Sequence, residues 1–318
     1  MEKNTFSVST YIAALMDTVY GYLADLQNLN EWTLFSRMTE KVDEDTWLAT
    51  ASGYQRNLYY HIRRRENDRF KGVEWHCGFA PGDYFQVYPT FLFPPDYLEP
   101  GSDEAGAYFH WVSFVDPARR TPMLEQALGI AHTAECRSLK AVLERMAGHT
   151  RAAKGRYTVK SSTIYVDAPW ETGAAYIADP QQMPEWAYLL KLRQSTSPNE
   201  AELHDEYGQP VTITTRTHKE TNYAVIEQDT RYEAQGFLQR APAIVIPCSY
   251  ALGNPDARGF MLQRLSFWKN DAPPQHGRLQ MEDYCAELIN IKRILEGRAG
   301  NKDTFALGPS YVTPAQKG

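Results

Sequence analysis

Cysteine is scarce in this chain: four residues in 318, at Cys77, Cys136, Cys248 and Cys285, with no CxxC pair and no finger-type spacing. That excludes a disulfide framework and a zinc ribbon, and leaves reduced structural thiols in a cytoplasm. Positive charge is also in short supply. The net charge is −6, and the densest basic run, Arg63-Arg64-Arg65, is followed at once by Glu66 and Asp68. No basic stripe exists to release counterions from phosphates, so no nucleic-acid partner is expected. No apolar run approaches the roughly 18–20 residues that a membrane span needs, and Met1–Phe6 has no apolar signal core. A soluble cytoplasmic protein follows as the expectation. Catalytic signatures are missing too: there is no Gly-x-Ser-x-Gly, no phosphate-binding glycine loop and no paired-carboxylate motif. His76-Cys77 with Asp83 comes nearest to a metal corner. Adjacent strand residues point to opposite faces, however, and no further ligands follow at useful spacing, so neither metal nor cofactor is expected.

What the chain does have is a repeat. Tyr22-Leu-Ala-Asp-Leu-Gln-Asn-Leu-Asn-Glu-Trp32 returns as Tyr176-Ile-Ala-Asp-Pro-Gln-Gln-Met-Pro-Glu-Trp186. Pro89-Thr-Phe-Leu-Phe-Pro94 returns as Pro242-Ala-Ile-Val-Ile-Pro247, and Trp111-Val-Ser-Phe114 as Arg264-Leu-Ser-Phe267. Arg64, ahead of Val73, is answered by Arg216 ahead of Val225. Matches in the same order and in near-constant register mean an internal duplication. Each copy, at about 150 residues, is too long for a solenoid repeat and is the usual size of a domain. We therefore expect domains at 1–150 and 151–300 and an extended tail at 301–318.

Within the first copy the pattern starts with a β-rich alternation over Thr5–Tyr11, then an amphipathic helical stretch from Ala13 to Asn28. Strands follow at Thr46–Tyr54, Asn57–Arg65, Lys71–Cys77, Tyr84–Phe93 and Ala107–Val115, separated by polar turns. A long helix comes next, with Thr121 as its cap, Pro122 in its first position and Gly148 at its end. The second copy repeats the order: Arg156–Val166, a helical pair, strands near Glu202–Tyr207, Val211–His218, Tyr223–Tyr232, Gly236–Ile246 and Gly259–Trp268, and a last helix from Leu279 to Glu296. Such a sheet must curl and bury one face, and only the long helix can cover it. The fold class is α+β: two domains, each a curled antiparallel sheet around its C-terminal helix with an internal cavity, the default place for a ligand.

The stretch Ile164-Tyr-Val-Asp-Ala-Pro-Trp-Glu171, followed by Ala178-Asp-Pro-Gln-Gln-Met-Pro-Glu-Trp186, resembles the N-terminal signature of the helix-grip superfamily. That superfamily includes START, Bet v 1-like and polyketide aromatase/cyclase proteins. The first copy departs from it, with Ala13-Ala14 in place of Ala-Pro and Asn30 in place of Pro184. Two such domains in tandem resemble the di-domain aromatase/cyclases of bacterial polyketide pathways, although a fold signature carries no catalytic residue.

Strand parity nominates residues. In Ala107–Val115 the phase Tyr108, His110, Val112, Phe114 and its counterpart Met261, Gln263, Leu265, Phe267 are mostly apolar, which places them inward. His110 is then a general acid/base or a hydrogen-bond donor, set against the plain alternative of a core histidine. In Asn57–Arg65, Leu58, Tyr60, Ile62 and Arg64 share the more apolar phase, so Arg64 points inward near the strand end. Arg216 shares its phase with Thr212, Thr214 and His218, opposite Val211 and Ile213, so the two copies disagree. The family resemblance implies a strand arginine projecting into the pocket, where it can clamp a carboxylate or an enolate; Arg64 and Arg216 are the candidates, with Tyr60 assisting. Trp32 and Trp186 read as wedges seating the helical pair, or as lining of the cavity together with Trp75.

Two functions remain open. One is a cofactor-independent polyketide cyclase/aromatase or dehydratase, fed with a hydrophobic substrate by an acyl carrier protein. The other is a non-catalytic carrier or sensor of a lipid, sterol or polyketide.

Overall fold

The computed structural model describes residues 5–51, 56–114, 122–187, 190–205, 208–271 and 274–297. The side chains of 122–127, 191–196, 235, 237 and 274–284 are outside that description. The Thr121 cap and the 301–318 tail therefore lie outside the described residues.

The first copy runs β1 (Thr5–Ile12), α1 (Met16–Leu23), α2 (Leu29–Trp32), β2 (Ser36–Lys41), β3 (Thr46–Ala51), β4 (Leu58–Glu66), β5 (Lys71–Ala80), β6 (Asp83–Phe93), α3 (Pro95–Leu98), β7 (Ala107–Phe114) and α4 (Pro122–Met146). The seven strands form one antiparallel sheet in the order β1-β7-β6-β5-β4-β3-β2, whose two edges stay open. Register shifts between Met38 and Glu40, and around Gly78, bend the sheet as bulges do. α1 buries Val19, Tyr22 and Leu23, the i, i+3, i+4 face that its periodicity predicts. Asp25 breaks it by accepting from the Gln27 amide at 3.0 Å. Where the second copy has Pro184, Asn30 instead ties both amide atoms to the Met38 backbone, at 2.7 and 3.0 Å. Gly148, at φ 86°, ends α4 in the left-handed conformation that glycine alone adopts cheaply.

The second copy runs β8 (Tyr157–Val166), α5 (Trp170–Ala178), α6 (Met183–Trp186), β9 (Lys191–Ser197), β10 (Glu200–His204), β11 (Pro210–Lys219), β12 (Ala224–Tyr232), β13 (Phe237–Arg240), β14 (Ala243–Pro247), α7 (Cys248–Ala251), β15 (Phe260–Lys269) and α8 (Pro274–Leu295). Its sheet has the order β8-β15-β14-β12-β11-β10-β9, with β13 paired to β12 off that path. Each copy is a helix-grip α+β fold, and the strand order of the second sheet repeats that of the first.

The chain divides into two compact units. Unit 1 comprises 1–161 with 246–258 and 265–272; unit 2 comprises 162–245, 259–264 and 273–318. In unit 1, Cys136, Leu139 and Leu143 of α4 share one core with Leu58, Tyr60, Ile62, Val73, Trp75, Phe109 and Trp111. In unit 2, Leu288 and Ile291 of α8 share one core with Ile213, Ala224, Ile226, Phe260 and Leu262. These two cores define the inner face of each sheet.

Four expectations are corrected by the strands and turns. β2 and β9 add strands that sequence patterning left out, because β2 is an edge strand with only Ser36 and Met38 buried and so has no apolar stripe. The single strand expected over Gly236–Ile246 is two, β13 and β14, parted around Ala241-Pro242. The stretch after Pro94 contains α3, and that after Pro247 contains α7. The helical stretch expected over Ala13–Asn28 begins only at Met16, as α1, and ends in a single 3-10 turn at Leu26–Asn28.

Candidate functional site

The phase of β7 is the reverse of the one expected. Phe109, Trp111 and Ser113 face α4: the Trp111 ring lies 4.3 Å from the His132 ring, and Ser113 Oγ lies 3.2 Å from His132 Nδ1. Tyr108, His110 and Phe114 therefore occupy the opposite face. His110 Nδ1 pairs with Ser9 Oγ at 2.7 Å beside the Phe91 ring, and Tyr108 donates to Glu104 at 2.8 Å. In β15 the same holds: Phe260, Leu262 and Arg264 face α8, while Gln263 donates to Thr163 Oγ1 at 3.1 Å on the far side. Phe267 packs on Phe93, Tyr97 and Tyr108 in unit 1. The parity was misread because all eight residues of β7 are buried; a strand covered on both faces shows no alternation of polarity.

The arginine candidates also move. Arg64 has the inner phase, but its side chain leaves at the rim. It ion-pairs with Asp45 and donates to the Ala24 carbonyl at 3.0 Å, at the end of α1, and it is 41% exposed. Arg216 lies opposite Glu227, as Arg63 lies opposite Glu74, so Arg216 corresponds to Arg63 and sits exposed on the outer face. Arg64 and Arg216 are thus not matching positions. Tyr60 is inward, with its hydroxyl 2.7 Å from Ser36 Oγ.

The structure brings Trp32, Trp75 and Trp111 together in the core between the first sheet and α4, with ring centroids 5.7 to 6.1 Å apart. Because Glu74 and Glu227 share a register position, Trp75 is matched by Gln228; Trp111 is matched by Arg264, and Trp32 by Trp186. The core of the second copy accordingly exchanges two of three indoles for polar groups. Arg264, 4% exposed, ion-pairs with Glu287 of α8, donates to Gln228 Oε1 at 3.2 Å and lies 5.1 Å from the centre of the Trp186 ring. Gln228 is itself oriented by donating to the Ile177 carbonyl at 3.1 Å. Asn290 of α8, fully buried, donates to the Trp186 carbonyl at 3.3 Å, and its Oδ1 has no hydrogen-bond partner among the described residues. This is a cation, a carboxylate, an amide and an aromatic face gathered under one helix, in an interior where charge interactions are strong.

Sequence reasoning missed Arg264, Gln228, Glu287 and Asn290. One signal was present: within an otherwise apolar strand, an arginine stands where the first copy has tryptophan.

A second buried polar cluster lies on the outer face of unit 1. Arg65, His76 and Tyr250 all reach the Glu74 carboxylate, His76 at 3.0 Å and Tyr250 as a donor. His76 and Cys77 do point to opposite faces, and among the described residues no three His, Cys, Asp or Glu side chains gather to hold a metal. Burial pushes the Cys77 and Cys136 thiols up to about 12 and Cys248 to about 11, which keeps them protonated and unreactive.

Two antiparallel sheets of the same strand order, each sharing a core with a long helix, define a tandem helix-grip protein. The chain belongs to the family described as "Domain of unknown function (DUF8713)", which matches residues 1–152 and again 159–304. No curated protein matches the sequence. Among solved structures the chain is similar to the di-domain ARO/CYC BexL from the BE-7585A biosynthetic pathway, at 14% identity and TM-score 0.30, covering 94% of this chain and 99% of that one. It is similar to the di-domain ARO/CYC StfQ from the steffimycin biosynthetic pathway at 11% identity and TM-score 0.33, covering 93% and 99%. A START superfamily protein from Mycobacterium smegmatis matches at 22% identity and TM-score 0.30, over 44% of this chain and 96% of its own. Among the described residues no helix is long and apolar enough to cross a membrane.

Proposed function

We propose that this chain is a cofactor-independent cyclase/dehydratase of the polyketide cyclase/aromatase type, and that the buried cluster around Arg264 carries its chemistry. The observation behind this reading is Arg264, a buried strand arginine aimed beneath the long helix with a carboxylate at its side. A poly-β-keto chain has acidic methylenes, so ring closure needs a folded chain and donors for the developing enolate, and no redox or metal step. Arg264 supplies those donors, Gln228 fixes the guanidinium plane, Glu287 accepts the methylene proton, and the Trp186 face bounds the substrate. Glu287 returns that proton to the alkoxide formed on closure; it then takes the second proton of the same carbon and delivers it to the resulting hydroxyl, which leaves as water as the C=C bond forms. The substrate enters as a hydrophobic thioester, with an acyl carrier protein as the delivering partner.

The test is turnover of a synthetic poly-β-keto thioester, with products read by mass spectrometry. Arg264→Gln should lower the rate on the order of 10²–10³-fold, the usual cost of one oxyanion donor, and shift products toward spontaneous closures. Arg264→Lys, which keeps the charge, separates chemistry from folding. Unchanged rate and products in folded Arg264→Gln would remove Arg264 from the mechanism. An unmodified lipid or sterol extracted with the protein, together with no turnover, would support the carrier instead.

A further inference from the structure

The outer face of the first sheet carries a pair of imidazoles that the proposed chemistry does not use. His61 of β4 and His76 of β5 stand directly opposite each other in the antiparallel ladder, so both side chains leave on one face, with ring centroids 6.2 Å apart. Each ring has one nitrogen held by an oxygen: His76 Nε2 lies 3.0 Å from Glu74 Oε2, and His61 Nδ1 lies 3.1 Å from Thr46 Oγ1. A carboxylate only accepts, so neutral His76 carries its proton on Nε2 and its lone pair on Nδ1. Pairing His61 Nδ1 with the hydroxyl leaves Nε2 as the free nitrogen of that ring. Neither His61 Nε2 nor His76 Nδ1 has a hydrogen-bond partner among the described residues. Tyr84 stacks on His61 at 5.6 Å and meets His76 edge-on at 5.5 Å, which fixes both rings.

An imidazole with one nitrogen tied to an oxygen partner and the other bare is the arrangement of a metal ligand, because the outer partner fixes the ring and raises its basicity. A metal bound by a histidine nitrogen lies about 3.2 Å from the ring centre, so rings 6.2 Å apart are within reach of a single ion. The second copy serves as an internal comparison. With Glu74 matched to Glu227, the two histidines correspond to Thr214 and Asp229, again directly opposite each other, and Asp229 is engaged by Arg240 at 3.2 Å. The sheet therefore does not need histidines at this register. The donor set defines the ion. Cys77, next in the strand, points to the opposite face, so the donors are neutral nitrogens, which suit copper and zinc and not calcium or magnesium. Half-buried His61 is the side from which an ion enters. We propose that His61 Nε2 and His76 Nδ1 bind one divalent transition-metal ion, Cu2+ more tightly than Zn2+, with water in its remaining positions. The site lies on the face of the sheet away from α4 and stands whether or not the Arg264 cluster turns over.

Titration of the untagged full chain with Cu2+, followed by electron paramagnetic resonance, should give one bound ion per chain with two nitrogen ligands, and Zn2+ should compete for the same place more weakly. His61→Gln and His76→Gln should each weaken binding at least about tenfold, the least that loss of even a supporting group costs a metal site. His204→Gln, in β10, and Arg264→Gln should leave binding unchanged, which separates this site from other histidines and from the proposed catalytic cluster. Imidazole 15N spectra of the unmutated chain give a measure that does not depend on the variants folding: the His61 Nε2 and His76 Nδ1 resonances should shift with Zn2+ while those of His132 stay. Absence of binding, binding that survives His61→Gln and His76→Gln undiminished, or unmoved His61 and His76 resonances would overturn the proposal.

Discussion

Arg64 and Arg264 show how little residue type alone decides. Both are strand arginines of inner phase, yet Arg64 is 41% exposed at the rim and Arg264 is 4% exposed under a helix. An exposed ion pair such as Arg64–Asp45 contributes about 0–1 kcal/mol. Arg64→Ala should therefore lower the unfolding free energy by no more than that in urea melts, and leave any turnover unchanged. Arg264 is the opposite case, because stripping one partner from a buried pair costs about 3–5 kcal/mol. His132 makes a statement about pH. Its folded-state value of about 4 lies below the ordinary 6.5, so between those two values the unfolded chain binds the extra proton. Stability should be full above pH 6.5 and fall by up to a few kcal/mol as the pH drops toward 4. His132→Phe should flatten that slope in denaturant titrations at pH 4.5, 5.5 and 7, and an unchanged slope would move its origin elsewhere.

At the scale of elements, the strands read well and their facing did not. Residue patterning and the bounding turns locate β1, β4, β11, β12 and β15 within a residue or two. β7 is buried along its whole length, so nothing in its polarity says which side α4 takes, and His110 was assigned to the wrong face on that account. The short segment 246–258 is the other element that patterning could not read. In unit 1 it places Tyr250 against Glu74, and Gly253 at φ 57° against the Tyr84 carbonyl, where an added Cβ would sit 1.8 Å from the oxygen. Gly253→Ala meets both a backbone penalty and a main-chain clash. It should lower the melting temperature by several degrees, more than Tyr250→Phe, which removes one hydrogen bond worth about 1–3 kcal/mol to the buried carboxylate. Equal melting temperatures for Gly253→Ala and the parent would mean that the segment is not held there.

For the whole molecule, the sequence by itself determined the duplication, the order of elements, the α+β class and the long helix that closes each copy. Those are properties of local period and of repetition along the chain, and periods survive translation from one dimension to three. It also held the one substitution that matters most, Arg264 in place of Trp111, without saying what either residue touches. Only the tertiary structure decided the rest: that Arg216 aligns with Arg63, that Gln228 and Glu287 converge on Arg264, and that Trp75 and Trp111 bury their N–H groups together. These depend on strand register and on which face a helix covers. A slip of one residue in register inverts every side chain of a strand, and in strands buried on both sides no local signal opposes the slip.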